Sequence, residues 1–326
     1  MCSWGTRREI GTVENDVPKA ALLTSGPIND GGWNTIAYNG LLLIEERYGF
    51  AISNSENVKQ DDQEAILRDY ARKGYDLIIG HGFEFGDAML SVAPEFPETF
   101  FAQVGGNIGG TLPNLTSGEL RTGEMGYIMG RLAGELTETG KIGFIGAMEI
   151  PTIVDDVAFI EAAIAEYYPH VEVAIAYTGS WTDIAAGKEA AKSMIDNGTD
   201  VLIGIGDACD AGAIQACDEA KENIWFIGWS GDMNALSPEK VASSTVQSIP
   251  TLIDIFAQQL INEEEGKAGT YGIKEGVLLM GTWAPDVPED TKEFVLSEFE
   301  KFKTGEYTRN SVMEMTKAKS DVVFDE

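Results

Sequence analysis

Basic side chains are scarce in this sequence: 23 lysines and arginines stand against 53 aspartates and glutamates, a formal charge of -30. That balance argues against a basic surface for nucleic acid or an anionic membrane, and it repels anionic ligands at long range. It suits a protein kept in solution in a salty exterior, and most of the carboxylates read as solvated surface. Histidine occurs twice, as His81 and His170, and cysteine three times with no Cys-x-x-Cys, so a zinc site has no support. Cys209 and Cys217 fall within one predicted helix, where about 12 Å of rise separates them; they read as buried free thiols. No apolar run approaches the roughly 18 residues that a membrane-spanning helix needs. The phosphate loop Gly-x-x-x-x-Gly-Lys-Ser/Thr and the nucleophile elbow Gly-x-Ser-x-Gly are both missing, and Gly204-Ile205-Gly206-Asp207-Ala208-Cys209 has cysteine where a dinucleotide fingerprint needs its third glycine. Neither histidine has an acid or nucleophile partner identifiable from sequence, so no enzyme activity and no cofactor are expected.

What is present is a chain of 326 residues, 44% of them hydrophobic, enough for two cores. Its organising stretch is Ser25-Gly26-Pro27-Ile28-Asn29-Asp30-Gly31-Gly32-Trp33-Asn34. The apolar run Lys19 to Thr24 precedes it, and Trp33, Ile36, Ala37, Gly40, Leu41 and Ile44 follow at helical spacing. The pattern is strand, loop, helix, and in an open parallel sheet such a loop lies at the carboxyl end of its strand, where ligands bind. Pro27 and the glycines permit a sharp turn, Asn29 and Asp30 can cap the helix, and Trp33 stands at its first turn. An indole beside carboxamides and a carboxylate suits a flat ligand with a polar edge; a core indole and a simple cap would fit the same residues.

Strand-like and helical segments then alternate, as a doubly wound parallel sheet requires. Phe50-Ala51-Ile52, a charged helix from about Asp61 to Lys73, and Tyr75-Asp76-Leu77-Ile78-Ile79-Gly80 lead into the loop His81 to Asp87. After Thr99 to Val104 a long helix is expected over roughly Gly118 to Glu138. The pattern then repeats: Val171 to Ile175, Gly179-Ser180-Trp181-Thr182-Asp183, a helix, and Asn197 to Gly204 echo the first half. A repeat of about a hundred residues signals a duplicated lobe. We expect a tether over residues 1–18, one lobe from 19–132 with 247–280, and a second from 133–246 with 281–326. The three crossings would form a hinge that permits closure around a ligand held between strand ends.

At those ends the sequence places Trp33, Phe83, Phe85, Trp181 and Trp229 with Asp30, Asn34, Asp207 and Asp232. Stacking on an aromatic ring contributes roughly 1 to 3 kcal/mol per nucleobase, so two facing rings would supply much of a micromolar affinity. Sugar-binding clefts use tryptophan as well, and the aromatics alone leave the ligand open.

From Lys19 to about Lys303 the sequence resembles the basic-membrane-protein family of ABC-transporter substrate-binding lipoproteins. The resemblance rests on the loop Gly26 to Asn34, on Gly179-Ser180-Trp181-Thr182-Asp183 followed by Gly187-Lys188-Glu189-Ala190-Ala191, and on Tyr271-Gly272-Ile273-Lys274-Glu275-Gly276. It implies a type I periplasmic-binding-protein fold, an extracytoplasmic location, and capture of purine nucleosides or related solutes for permease subunits. By this resemblance Trp33 and Trp181 sandwich a base, Asn34 lies beside the first ring, and Asp30 lies in the acidic loop. Asn34, Asp207 and Asp232 would read the base's polar edge and Phe83 would pack one side. Two positions depart from the family's pattern: Ser230 stands where an aspartate resembling a ribose-diol ligand is typical, and Gln247 where a lysine is. A serine offers no bidentate acceptor for vicinal hydroxyls, and Trp229 would fill space there, which favours a purine base over a tightly bonded nucleoside. The start Met1-Cys2-Ser3, polar to Asp16, is consistent with lipidation of Cys2. The same fold serving a sugar, an autoinducer or an amine, and a ligand-sensing subunit of a signalling system, are the alternative readings.

Overall fold

The computed structural model describes residues 17–29 and 32–324, and the chain forms two units. The first unit, residues 1–120 with 248–271, starts with β1 (Lys19–Thr24), α1 (Trp33–Tyr48), β2 (Ala51–Ser55), α2 (Gln63–Arg72) and β3 (Leu77–His81). It continues with α3 (Gly86–Val92), β4 (Phe100–Val104) and β5 (Leu115–Leu120). The second unit, residues 121–247 with 272–326, contains α4 (Glu124–Leu136), β6 (Lys141–Gly146), α5 (Pro151–Tyr167), β7 (Glu172–Tyr177) and α6 (Ile184–Asp196). Then come β8 (Val201–Ile205), α7 (Ala208–Glu219), β9 (Trp225–Ser230) and β10 (Val241–Gln247). The chain returns to the first unit for α8 (Ile249–Ile261) and β11 (Ala268–Tyr271), and ends in the second with β12 (Leu278–Met280), α9 (Glu289–Thr304) and α10 (Arg309–Thr316). Among the described residues no helix is long and apolar enough to cross a membrane.

Each unit is built on a six-stranded sheet, in the order β11-β5-β4-β3-β1-β2 in the first and β12-β10-β9-β8-β6-β7 in the second. Every pairing is parallel except β10 with β12. Parallel strands are covered on both faces, and β3, β4 and β8 are buried at every position. In the first unit the strand order reverses at β1, which has β2 on one side and β3 on the other; β6 has the same place in the second. These reversals are the topological switch points at which loops splay apart and ligands bind in doubly wound sheets. The repeat anticipated from sequence is therefore a repeat of topology.

Two of the passages between units lie elsewhere than expected. The chain crosses at 120/121 and 271/272, where the sequence suggested 132/133 and 280/281, and it crosses at 247/248, one residue from the expected point. The first shift follows from α4: a Cβ on Gly126 would overlap the Asp156 backbone, and one on Gly130 would stand 2.9 Å from the Ile160 carbonyl oxygen. So close an approach to α5 makes α4 part of the second unit. The second follows from β12, which pairs with β10 through Thr245 and Met280. The long helix expected from Gly118 is instead β5, a turn, and α4. Residues Leu115 to Leu120 lack strand-like alternation because Gly118 lies against Leu252, Phe256 and Tyr271, where a side chain would not fit.

Candidate functional site

In the first unit the loop after β1 is held from below by the loop after β2. The Thr24 hydroxyl donates to the Gly26 carbonyl (2.8 Å), Val58 N–H to the Thr24 carbonyl (3.0 Å), and Ile28 N–H to the Glu56 carboxylate (2.9 Å). Gly26 is required there, since a Cβ would stand 2.6 Å from the Asn34 amide nitrogen. The residue preceding α1 is Gly32, which has no side chain to cap with; Asp30, the other cap anticipated beside Asn29, lies outside the described residues. Asn34 is buried in the first turn, and Trp33 beside it is half-buried.

The Trp33 indole stacks on His81 at the carboxyl end of β3, with centroids 4.0 Å apart and planes 30° from parallel. His81 Nε2 donates to the Trp33 carbonyl at 3.0 Å, because a carbonyl can only accept; this places the imidazole proton on Nε2. The edge of the indole faces Gly105, whose positive φ of 77° turns the chain away after β4. His81 is fully buried; the sequence places it in a candidate cleft loop without a role, and the structure sets it against Trp33. Its signal was positional: β1 and β3 are sheet neighbours in which Thr24 pairs with His81. Phe83 is 79% exposed, and what the fold uses is its carbonyl, which accepts from Gln103 Nε2 at 2.9 Å.

In the second unit Trp181 lies in the loop between β7 and α6 and is half-buried against the apolar core. Its carbonyl accepts from Ala208 N–H at 3.1 Å, and Asp183 caps α6 through Ala186 N–H at 3.0 Å. Asp207, at the turn from β8 into α7, has a φ of 50°, a state sparsely used by residues with a Cβ. Buried Asp210 sits one turn on, its carboxyl accepting from Gly206 N–H at 3.0 Å. Desolvation drives its pKa well up, against the Gly206 bond, and the Asp207 charge adds to the rise.

Ser230 and Gln247 end the adjacent strands β9 and β10. Ser230 has a φ of 70° and is 3% exposed, and its hydroxyl has no hydrogen-bond partner among the described residues; neither has Oε1 of buried Gln247. Buried polar atoms are seldom left unpaired, and Gln103 Oε1 and Gln259 Nε2 are in the same state. Trp229 packs against the same core as Trp181. Asp232 is occupied: it accepts from Thr282 N–H (3.0 Å), the Thr282 hydroxyl (2.6 Å) and Asn234 N–H (3.2 Å). Partial burial would raise its pKa, but the Thr282 and Asn234 donors outweigh this and hold it below the usual range. Asp232 therefore ties the 281–282 segment to β9. Cys209 and Cys217 are free and buried, and Cys2 lies outside the described residues.

Two doubly wound units, each ending in an aromatic-bearing loop beside its switch point and joined by three chain passages, define the type I periplasmic-binding-protein fold. A 24%-identical solute-binding protein from Conexibacter woesei has it too, with a TM-score of 0.77 over 90% of this chain and 98% of that one. The model of the Bmp family, ABC transporter substrate-binding proteins described as PnrA-like, matches residues 17–314, and the chain belongs to that family. It is a substrate-binding protein of the ABC-transporter class, which meets its small-molecule solute outside the cytoplasm and serves permease subunits. The chain is 30% identical to the transcriptional activator protein Med of Bacillus subtilis, over 90% of this chain and 92% of that one. It is 26% identical to a glucose-binding ABC transporter protein of Haloferax volcanii (91% and 75%) and 27% identical to the nucleoside-binding protein BmpA of Lactococcus lactis (83% and 83%).

Proposed function

We propose that the solute is a purine, taken as free base or nucleoside, with Trp33 and Trp181 stacking on the ring. The observation that carries this reading is the Trp33 indole, already fixed at the first unit's switch point by the His81 ring at 4.0 Å and by the His81 bond to its own carbonyl. A platform held in this way loses little side-chain entropy when a flat ligand lands on it. Asn34, Asp207 and the sequence-assigned Asp30 supply polar atoms for a base edge, while the Asp232 carboxylate is already committed to Thr282 and Asn234. Ser230 and Gln247 offer neutral hydrogen-bonding capacity in place of a carboxylate and an ammonium, so a riboside is accepted without being gripped. The scarcity of basic residues disfavours nucleotides. Anchoring by a lipid on Cys2 belongs to the same proposal.

The test is a thermal-shift screen of the full chain against purine bases, their ribosides and monophosphates, and glucose, because a ligand bound to the native state raises its melting temperature by mass action. Purines should shift the transition and monophosphates should shift it less. Glucose stabilising the protein while every purine is silent would replace this reading with the sugar alternative.

A further inference from the structure

The loop that carries Trp181 has no regular secondary structure, yet three of its residues converge on one buried sulfur. Cys209 Sγ lies 3.0 Å from the Ser180 carbonyl, 3.2 Å from the Asp183 carbonyl and 3.5 Å from the Thr178 hydroxyl. The next contact along the chain is the bond from Ala208 N–H to the Trp181 carbonyl. Cys209 is fully buried at the start of α7. It comes so close because α6 and α7 pack backbone to backbone: a Cβ on Gly187 would overlap the Cys209 carbonyl, and one on Gly212 would overlap that of Ile184. A thiol has one proton to donate, and here two carbonyls on either side of Trp181 compete for it. The Ser180 carbonyl also accepts from the Thr178 hydroxyl (2.9 Å) and the Asp183 carbonyl from Gly187 N–H (3.2 Å), so removing the sulfur leaves both paired within their own segment and takes away the side-chain bond that ties them to α7.

We propose that Cys209 is a positioning residue for Trp181: its S–H fastens the loop to α7 so that the indole is presented in one orientation. This rests on the reading of Trp181 as a ligand-stacking residue, and the experiment separates the two. Adenine and adenosine are titrated by calorimetry into the full-length protein and its Cys209→Ala, Cys209→Ser and Trp181→Ala variants, and into the Cys209→Ala/Trp181→Ala double variant. Amide hydrogen exchange is followed over residues 178–187 without ligand. Cys209→Ala should weaken binding about tenfold and speed exchange in this segment by a similar factor, and Cys209→Ser, which keeps a donor, should restore much of both. In the double variant the cysteine change should add little, since its effect passes through the indole.

An equal loss in the presence and absence of Trp181, or unchanged exchange in Cys209→Ala, overturns the positioning role. If Trp181→Ala leaves binding intact, the stacking reading fails, while faster exchange in Cys209→Ala with rescue by Cys209→Ser would still establish the fastening. Should Cys209→Ala fail to fold, Cys209→Ser decides by the same exchange measurement against the wild type: protection kept supports the donor, and protection lost overturns it.

Discussion

Gly212 gives a test in which local propensity and packing predict opposite signs. In an exposed helix, replacing glycine by alanine stabilises by about 1 kcal/mol. Gly212 is inside α7, but its missing side chain is where α6 approaches: an added Cβ would overlap the Ile184 carbonyl and stand 2.9 Å from Lys188 N. Both are backbone atoms of α6, so no side chain can rotate away and the helices must separate by about 1 Å. Overpacking of this kind costs roughly 1 to 3 kcal/mol, and contact with rigid backbone puts Gly212→Ala at the upper end. After the propensity gain, a net loss of about 1 to 2 kcal/mol remains, or roughly 1.5 to 3 °C in the melting transition for a chain of 326 residues. Gly231→Ala, whose Cβ would meet nothing within 4 Å, is the control and should melt within about 1 °C of wild type. Thermal melts followed by far-ultraviolet circular dichroism measure both. A Gly212→Ala protein melting at or above the wild-type temperature would refute the close helix contact.

Two further predictions concern buried and strand-end groups. Desolvation raises the Asp156 carboxyl to about 7, opposed by the Gly123 N–H it accepts and assisted by the Asp155 charge. An acid whose folded pKa lies above its unfolded one is favoured neutral in the fold, so its contribution worsens as pH rises from about 4 to about 7 and is level beyond that. Asp156→Asn should therefore gain on wild type across that window, read as a melting-temperature difference that grows from pH 5 to pH 8; a constant difference would contradict the shift. Ser230→Asp restores a bidentate acceptor at a backbone φ of 70° that aspartate tolerates. It should tighten binding of adenosine relative to adenine in calorimetry, and an unchanged ratio would place the ribose elsewhere.

The strand-loop-helix units were legible wherever a short apolar run met a glycine-rich loop, as at β1 with Trp33 and at β8 with Asp207. They were not where a strand is short or carries glycine for tertiary reasons. In β5 Gly118 admits three side chains from elsewhere, and the four residues of β11 become a strand by pairing with β5, which no local pattern reports. The crossing points were hidden for a related reason: only the packing of α4 on Asp156 and Ile160 assigns it to the second unit. At the candidate site the aromatic positions could be read from their place after a strand. His81 could not, because its role depends on the adjacency of β1 and β3. Nor could the commitment of Asp232, whose partner Thr282 lies 50 residues away.

Calorimetric titration of the full chain and its Trp33→Ala variant with adenine, adenosine and glucose tests purine capture most directly. At least one purine should bind at micromolar concentration or tighter, and Trp33→Ala should lose about 1 to 3 kcal/mol, roughly 5- to 150-fold in affinity. Purine binding untouched by the loss of Trp33, or heat from glucose alone, would contradict purine capture on Trp33.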